Sequence, residues 1–339
     1  MAALFLREDD VRSLIDMPTA IDYIEQAFRE LGKGTAVNCP RQRVRLKGLW
    51  LHTMAAGLPS SGLVGTKSYT TTADKARFLV TIWSAETGEP LALMEADWLG
   101  QLRTGAASGV ATRWIARPDC TRVGIFGSGL QARTQLEAVC AVRPIAEVFV
   151  YSRSADRRQA FAKEMSGRLN IAVRPVDSPA DCVRERDIVI TATTSRTPLF
   201  DGQLLSPGTH LNAVGSNFLQ KSELDRTTLA RCQLRVCDHR QQCQLEAGDL
   251  HSGIEAGLFT WDSVVELQEI VTGMVSINRI TDSRALAEGL QPATDPAAPD
   301  SQDELTLFKS VGLAIEDVAV AAEVYRRAKE LGRGTVLPF

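Results

Sequence analysis

A glycine-rich turn between a strand and a helix constrains this chain more than any other feature. Gly127-Ser-Gly129-Leu-Gln-Ala132 follows the apolar segment 122–126 and precedes a helical segment. Gly127 permits a tight turn, Gly129 lets a phosphate approach the backbone, and Ala132 keeps helix and strand close together. Because the helix N-terminus presents free N–H groups and its positive dipole end, the pattern predicts a dinucleotide site. The alternative is an ordinary turn from strand to helix without a ligand.

Strands and helices alternate along the chain from residue 121 onward. The second predicted strand, residues 147–151, is followed by a helix over 155–167, and further short apolar strands come after it. Alternation at this spacing is typical of a parallel sheet with helices on both faces, and it predicts an α/β fold of the Rossmann type. The predicted strands are 122–126, 147–151, 171–175, 187–192, 208–214 and 234–237.

The segments on either side follow a different pattern. Residues 40–96 contain short strands separated by turns, and a helix rich in small residues covers 97–116. Apolar residues at helical spacing predict one helix that ends at about Leu31 and another over about 311–331. Residues 283–303 are rich in Ala, Pro and Asp, which is typical of a surface loop.

Composition excludes several classes of protein. The chain has 38 Lys and Arg residues against 41 Asp and Glu, and the formal net charge of −3 offers no general attraction for nucleic acid or an anionic membrane. No apolar run approaches the ~20 residues of a membrane span. The acidic start does not resemble a secretory signal. Since the seven Cys residues lack the spacing of zinc ligands, we expect no metal site, and reduced thiols in the cytoplasm.

The end of the second predicted strand bears on the choice of cofactor. A site for NAD normally has Asp or Glu there, which binds the ribose 2′-hydroxyl. This chain has Ser152 and Arg153, with Arg157 one turn later. A missing carboxylate removes the repulsion of a 2′-phosphate, and a guanidinium binds phosphate through two hydrogen bonds. The pattern favours NADP over NAD, with a solvated helix start as the alternative.

Three cations in the first third of the chain are candidates for binding an anionic substrate. Arg41 starts a strand in which cations alternate, so we expect one face to carry Arg41, Arg43, Arg45 and Lys47. Arg103 lies in a helix of small and apolar residues, where it either binds an anion or pairs with an acid that the sequence does not identify. Lys67 lies on an apolar strand, where a lowered pKa would suit proton transfer. A solvated side chain is the alternative for each.

Four sequence blocks together resemble the ornithine cyclodeaminase/mu-crystallin family. They are Leu-Arg-Thr-Gly-Ala-Ala (102–107), Gly-Ser-Gly-Leu-Gln-Ala (127–132), Asn-Ala-Val-Gly (212–215) and Leu-Phe-Lys-Ser-Val-Gly-x-Ala-x-Glu-Asp (307–317). They occur in the family's order and span most of the chain. The resemblance implies a homodimer in which a Rossmann domain, residues 118–304, is inserted in an α+β dimerisation and substrate domain, residues 1–117 plus 305–339.

The resemblance also implies roles for individual residues. Arg41 and Arg103 would bind the substrate carboxylate, and Lys67 would relay a proton beside the reacting nitrogen. His52 and Asn217 would contact the substrate. The cofactor-binding residues that the resemblance implies are Thr104, Gly127, Ser128, Gly129, Leu130, Gln131, Ser152, Arg153, Arg157, Thr193, Val214, Gly215, Ser216 and Lys309.

Two positions depart from the cyclodeaminase pattern. Cyclodeaminases carry Asp shortly after Asn-Ala-Val-Gly, whereas this chain has Asn217, whose amide does not accept a proton as a carboxylate does. The position of the cyclodeaminase glutamate corresponds to His52, for which its strand neighbours favour a half-buried structural role. Both differences point away from ornithine cyclisation.

The resulting hypothesis is an NAD(P)H-dependent imine reductase that converts a small α-imino acid to an L-amino acid. The substrate is either a cyclic ketimine, such as Δ1-pyrroline-2-carboxylate, or an acyclic imine, such as iminosuccinate, and the sequence leaves both open. The alternatives are an ornithine cyclodeaminase, an alanine-type amino-acid dehydrogenase, and a non-catalytic NADPH-binding protein of the mu-crystallin type.

Overall fold

A computed structural model describes residues 2–275 and 303–338, which form two compact units. Among the described residues, unit 1 consists of 2–107 and 312–338, and unit 2 consists of 108–275 and 303–311. The predicted loop over 283–303 lies outside the described residues except for Asp303. No helix within the described ranges is long and apolar enough to cross a membrane.

Unit 1 is built on a largely antiparallel sheet. Its strands are β1 (Ala2–Leu6), β2 (Val37–Leu46), β3 (Leu49–Leu58), β4 (Leu63–Thr71), β5 (Ala76–Ser84), β6 (Pro90–Glu95) and β15 (Thr335–Pro338). They are arranged in the order β15-β1-β6-β5-β4-β3-β2. The helices are α1 (Glu8–Leu14), α2 (Met17–Gly32), α3 (Asp97–Ile115), whose second half belongs to unit 2, and α11 (Ala314–Leu331).

One face of this sheet forms the core of unit 1. Met54, Lys67, Val80 and Met94 lie side by side across β3 to β6, and all four are buried. Alternate residues of a strand point to opposite faces. Helix α11 packs against β3, β4 and α2, so it covers the face that carries Lys67. The fold thereby buries a cation among apolar side chains.

Helix α2 follows directly from local sequence signals. Asp16 caps it by accepting a hydrogen bond from the backbone N–H of Thr19 (3.0 Å), and Pro18 lies in its first turn. The predicted end near Leu31 is confirmed. Residues 8–14 form the separate helix α1, because Ile15 is extended between the two helices.

The strand rich in cations ends one residue earlier than predicted. β2 ends at Leu46, so Lys47 lies in a turn with Gly48, whose φ is +82°. Arg41 is buried, whereas Arg45 and Lys47 are exposed. The expectation that four cations share one strand face is therefore wrong for Lys47, because the chain leaves the strand before it.

Unit 2 is built on a sheet in which the strand pairs are parallel. Its strands are β7 (Arg122–Phe126), β8 (Glu147–Tyr151), β9 (Ala172–Pro175), β10 (Ile188–Thr191), β11 (His210–Ala213), β12 (Cys232–Cys237), β13 (Val265–Glu266) and β14 (Leu305–Lys309), in the order β13-β12-β14-β11-β10-β7-β8-β9. Its further helices are α4 (Leu130–Val142), α5 (Ala155–Leu169), α6 (Pro179–Val183), α7 (Arg226–Arg231), α8 (Arg240–Glu246), α9 (Gly248–Glu255) and α10 (Leu267–Val271). The predicted α/β class is confirmed, and the predicted strands lie within two residues of the observed bounds.

Four of the described strands, β1, β13, β14 and β15, were not predicted from the sequence. β1 and β15 pair with each other, and β14 lies between β11 and β12. Each is short, and each has a partner far away along the chain, so no local turn signal marks it. The terminal helix begins at Ala314 rather than at about 311, because Gly312 has a φ of +81°, which a helix does not accommodate.

Candidate functional site

The glycine turn of unit 2 has the geometry of a phosphate-binding turn. Gly127 has a φ of +113°, and a Cβ atom there would lie 2.4 Å from the carbonyl oxygen of Ala192. A Cβ atom on Gly129 would meet no atom within 4 Å. Gly129 is also the N-cap of α4, which no described side chain caps. The open backbone and the helix N-terminus therefore fit the pyrophosphate of a dinucleotide.

An open pocket of about 580 Å³ lies at the carboxyl ends of β7, β8 and β10. Ligands bind at this edge of parallel sheets in Rossmann folds. Three segments line the pocket, namely 126–129, 151–154 with Arg157, and 192–195 with Leu199. Among the residues implied as cofactor-binding, those on its wall are Gly127, Ser128, Gly129, Ser152, Arg153, Arg157 and Thr193.

Hydroxyl groups and arginines lie at the end of β8, where a carboxylate would select NAD. The hydroxyl of Ser128 donates to that of Ser152 (3.1 Å), which in turn donates to the carbonyl of Ser154 (3.1 Å). Arg158 is paired with Asp177. Arg153 and Arg157 are exposed, and in the part of the chain that the structure describes neither has a carboxylate partner. Both guanidinium groups are available to an anion.

Other residues that the resemblance assigned to the cofactor do not line this pocket. Leu130 is 57% exposed at the start of α4. Lys309 is fully buried in unit 2, where its ammonium donates to the carbonyl of Ser216 (2.6 Å) and pairs with Asp249 (2.9 Å). Burial opposes the charge of Lys309, but the attraction of Asp249 outweighs it and raises the pKa of Lys309. The ammonium therefore has a structural role. Gln131, Val214, Gly215 and Ser216 also lie outside the pocket wall.

Unit 1 buries a cluster of charged side chains, which we call the ion cluster: Arg41, Lys67, Arg103, Glu316 and Asp317. One oxygen of Asp317 accepts from Lys67 Nζ (2.7 Å) and from Arg103 Nε (3.1 Å). Arg103 Nη1 donates to Glu316 (2.6 Å). Arg41 donates to the carbonyl of Gly312 (3.2 Å). The acids that pair with Arg103, which the sequence analysis did not identify, are the Glu-Asp pair at the end of the block 307–317.

Glycine at position 312 makes room for this cluster. A Cβ atom on Gly312 would lie 2.6 Å from Nη1 of Arg103, and the φ of +81° already favours glycine. Glu316 and Asp317 then fall in the first turn of α11, where the helix dipole stabilises carboxylates. The sequence from 312 to 317 thus places Glu316 and Asp317 beside Lys67 and Arg103.

The buried position of Lys67 changes its proton affinity. Burial and the charge of Arg103 lower its pKa and the carboxylate of Asp317 opposes them, with a net pKa of about 8. Burial also disfavours the charge of Arg103, but Asp317 and Glu316 outweigh it and raise the pKa of that guanidinium. Near neutral pH Lys67 therefore holds a proton that it is able to release, and Arg103 holds a permanent charge.

A row of stacked aromatic rings lies next to the ammonium of Lys67. The ring centroids of His52 and Tyr69 are 4.2 Å apart, and those of Tyr69 and Phe78 are 5.0 Å apart. Lys67 Nζ is 6.0 Å from the Tyr69 centroid and 5.5 Å from that of Phe78. Tyr69 and Phe78 were not predicted as site residues, because only the strand register places them beside Lys67 and His52.

His52 is more buried than the half-buried role expected for it. It is only 3% exposed, and its Nε2 atom lies 3.1 Å from the hydroxyl of Thr71. Burial and the charges of Arg43 and Arg41 lower the pKa of His52 to about 4. The ring is therefore neutral at physiological pH and does not replace a catalytic carboxylate.

The remaining predicted residues are placed as follows. The hydroxyl of Thr104, on α3, donates to the carbonyl of Gly100 (2.7 Å) in the same helix. Asn217 is half-buried in the segment after β11. The guanidinium of Arg45 lies over the ring of Trp50, 4.9 Å from its centroid.

Known proteins of one family are similar to this chain. The sequence model of the ornithine cyclodeaminase/mu-crystallin family matches residues 1–285. A Δ1-pyrroline-2-carboxylate reductase of Bacillus cereus is 31% identical, covering 99% of this chain and 100% of that protein.

Two of the solved structures similar to this chain match it over nearly its whole length. One is the Δ1-pyrroline-2-carboxylate reductase of Thermococcus litoralis in complex with NADH and L-proline, with 34% identity, a TM-score of 0.86, and coverage of 98% of this chain and 99% of that one. The other is an archaeal alanine dehydrogenase dimer with bound NAD, with 31% identity, a TM-score of 0.87 and coverage of 100% of both chains.

Substitution of Gly129 by Ala tests the fit of the pocket to a dinucleotide. Because the position is open and its φ of −86° suits any residue, we expect Gly129→Ala to lower the melting temperature by no more than about 2 °C. The methyl group would occupy the space of the pyrophosphate, so the Kd for NADH and NADPH should rise at least about tenfold. Fluorescence titration measures both constants.

The matched control is Gly167→Ala, which adds the same methyl group to an open position of α5. It should leave both constants unchanged and stabilise the helix slightly. Unchanged dinucleotide affinity in Gly129→Ala would show that the turn does not hold the pyrophosphate.

Proposed function

The chain belongs to the ornithine cyclodeaminase/mu-crystallin family, and on that premise we propose that it is an imine reductase that converts Δ1-pyrroline-2-carboxylate to L-proline. Unit 1 would bind the imino acid, and unit 2 would bind the nicotinamide dinucleotide. The observation that carries the proposal is the ammonium of Lys67, which is buried beside Arg103 and held by Asp317. Proteins similar to this chain are reductases of the same imine.

The cations of the ion cluster support an anionic substrate. Arg41, Lys67 and Arg103 are buried there together with two acids, Glu316 and Asp317. A substrate carboxylate would be bound by the guanidinium groups of Arg41 and Arg103 through charge-assisted hydrogen bonds.

Lys67 would supply the proton of the reaction. Reduction of an imine adds a hydride to carbon and a proton to nitrogen, and protonation makes the carbon more electrophilic. With a pKa of about 8, Lys67 is largely protonated at neutral pH yet releases its proton more readily than an exposed lysine. The bound dinucleotide supplies the hydride. Arg41 and Arg103 would orient the substrate, which reduces the entropic cost of the reaction.

The aromatic row favours a cyclic substrate over an acyclic one. The rings of Tyr69 and Phe78 offer flat apolar surface within about 6 Å of the ammonium. Methylene groups of a five-membered ring would cover that surface, and this burial is favourable. Pyruvate-derived imines, which have a single methyl group, would cover less of it.

We also propose that NADPH is preferred and that NADH is used more weakly. Ser152 occupies the position where an acid would repel a 2′-phosphate, and the guanidinium groups of Arg153 and Arg157 line the same pocket. Two charge-assisted contacts to the phosphate would favour NADPH. The similar structures hold NADH and NAD, respectively, so we expect the difference to lie in affinity rather than in chemistry.

A panel of substrates tests the proposed reaction. With NADPH or NADH, the loss of reduced-nicotinamide absorbance should be fastest with Δ1-pyrroline-2-carboxylate. It should be slower with Δ1-piperideine-2-carboxylate, and slowest with oxaloacetate or pyruvate in ammonia. NADPH should show the lower KM.

Three results would contradict the proposal. Reduction of NAD with alanine as the best substrate indicates an alanine dehydrogenase, and ammonia release from ornithine without net cofactor turnover indicates a cyclodeaminase. Tight NADPH binding without turnover of any imine indicates a binding protein.

Substitution of Asp317 by Asn tests the role of Lys67. Asp317 raises the pKa of Lys67, so its removal lowers that pKa below about 8. Because protonated Lys67 is the active form, kcat/KM falls as the pH rises through this pKa. The alkaline limb of the pH profile should therefore move to lower pH by about one unit.

Glu316→Gln is the matched control, because Glu316 bonds to Arg103 and has no bond to Lys67. Its alkaline limb should stay close to that of the wild type. An unchanged limb in Asp317→Asn would exclude Lys67 as the titrating proton donor.

The outer face of the unit 1 sheet supports a homodimer. Val44, Val64 and Leu79 lie on the face opposite Lys67, and they are 58%, 43% and 42% exposed. Exposed apolar side chains on one face of a sheet suit an interaction surface. We propose that a second copy covers it, in line with the similar alanine dehydrogenase dimer. The seven free thiols suit the reducing cytoplasm, where we place the enzyme.

Substitution of Leu79 by Glu tests this interface. A charge on this sheet face should convert the dimer to a monomer, and light scattering would then give 36.9 kDa instead of the mass of two chains. Leu245→Glu, at an exposed leucine of unit 2, is the control and should leave the dimer intact. A dimer that persists in Leu79→Glu would place the interface elsewhere.

A further inference from the structure

A buried carboxylate behind the dinucleotide pocket has no role in the proposed reaction. Glu223 is fully buried in unit 2, in the loop between β11 and α7. We propose that Glu223 is a positioning residue for the cofactor, whose carboxylate fixes the segments that follow β10 and β11 in the shape that binds a dinucleotide. The proposal rests on the proposed function only in that this pocket binds a nicotinamide dinucleotide.

The contacts of Glu223 join two neighbouring segments. One carboxylate oxygen accepts from the backbone N–H (2.8 Å) and from the hydroxyl (2.6 Å) of Thr193. The other accepts from the backbone N–H of Gly215 (3.0 Å). The backbone carbonyl of Glu223 accepts from the N–H of Leu199 (2.9 Å). Since Thr193 and Leu199 both line the pocket, a single residue holds the wall segment 193–199 at both ends.

The packing around the carboxylate leaves little freedom. A Cβ atom on Gly215 would lie 2.4 to 2.5 Å from the carboxylate atoms of Glu223, so glycine is required for this approach. The hydroxyl of Thr193, which donates to Glu223, also accepts from the N–H of Ser195 (3.0 Å). Gly215 was predicted to bind the cofactor, but its N–H group is already bonded to Glu223.

A buried ion pair holds Glu223 in turn. Asp249 accepts from the backbone N–H groups of Glu223 (2.6 Å) and Leu224 (3.1 Å). Its other oxygen pairs with Lys309, which also donates to the carbonyl of Ser216. Burial raises the pKa of Glu223 despite its hydrogen bond from Thr193, and Asp249 adds to the effect. Lys309 opposes this shift and helps to keep the carboxylate charged.

This arrangement gives the pocket wall its shape before the cofactor binds. Hydrogen bonds to a charged acceptor are stronger than those between neutral groups, and three of them end on Glu223. Because the wall is already ordered, cofactor binding does not lose free energy in ordering it. The affinity for the cofactor is therefore higher. Removal of the charge should therefore weaken dinucleotide binding, although no atom of Glu223 needs to touch the cofactor.

The test compares Glu223→Gln with the wild type in direct binding of NADPH and NADH, by fluorescence titration. The amide keeps the size of the side chain but turns one acceptor into a donor, which faces Thr193 or Gly215. We expect Kd to rise about tenfold for both dinucleotides, while the folded fraction at the assay temperature stays complete. Glu223→Asp keeps the charge and should give a smaller loss, and it serves as the main variant if the glutamine protein does not fold.

Asp187→Asn is the matched control. Asp187 also accepts three hydrogen bonds, from the N–H groups of Thr121 and Arg122 and from Arg117, at the opposite ends of β7 and β10. We expect it to lower the melting temperature and to leave both Kd values unchanged. The fall in its melting temperature measures how much a carboxylate outside the pocket contributes to stability.

The outcomes separate the two proposals. Wild-type affinity in both Glu223 variants overturns the positioning role and leaves the proposed function in place. Weakened binding in Asp187→Asn equal to that in Glu223→Gln also overturns it, because the effect would then follow general stability. A wild type that binds neither dinucleotide would instead overturn the proposed function, and the positioning role with it.

Discussion

A single carboxylate oxygen of Asp317 accepts hydrogen bonds from both Lys67 and Arg103, and the interior of unit 1 depends on this contact. Moving an ion out of water costs on the order of several kcal/mol, so each buried cation requires a partner. Glu316 and Asp317 provide them from the first turn of α11, where the helix dipole also favours acids. The contact joins β4, α3 and α11, three elements that lie far apart in the sequence.

Unit 2 also buries charged side chains that are held by bonded partners. Lys309, Asp249 and Glu223 are fully buried, and each is bonded to the backbone of a neighbouring segment. In both units the buried charges hold the backbone or the cations where the proposed chemistry needs them. Such groups contribute less to net stability than apolar packing does, because desolvation offsets much of their attraction. Their value lies in fixing geometry, which supports their proposed roles in substrate and cofactor binding.

The sequence was sufficient for local structure and insufficient for long-range pairing. The strands 122–126 and 147–151 were predicted with the observed bounds, because alternation and turn residues are local signals. β14 was missed, since its place between β11 and β12 is decided by partners far away along the chain. Lys47 was placed on a strand that ends before it, because the turn at Gly48 interrupts the alternation.

The α/β class, the glycine turn, the family and the cations that require partners were all predictable from the sequence. Each of these is carried by neighbouring residues, by spacing along one segment, or by the cost of burying a charge. Only the folded structure shows which acids pair with Lys67 and Arg103 and which rings lie beside Lys67. It also shows that Lys309 pairs with the buried Asp249 and does not line the pocket. These facts depend on strand register and helix packing, which bring together residues separated by up to 250 positions.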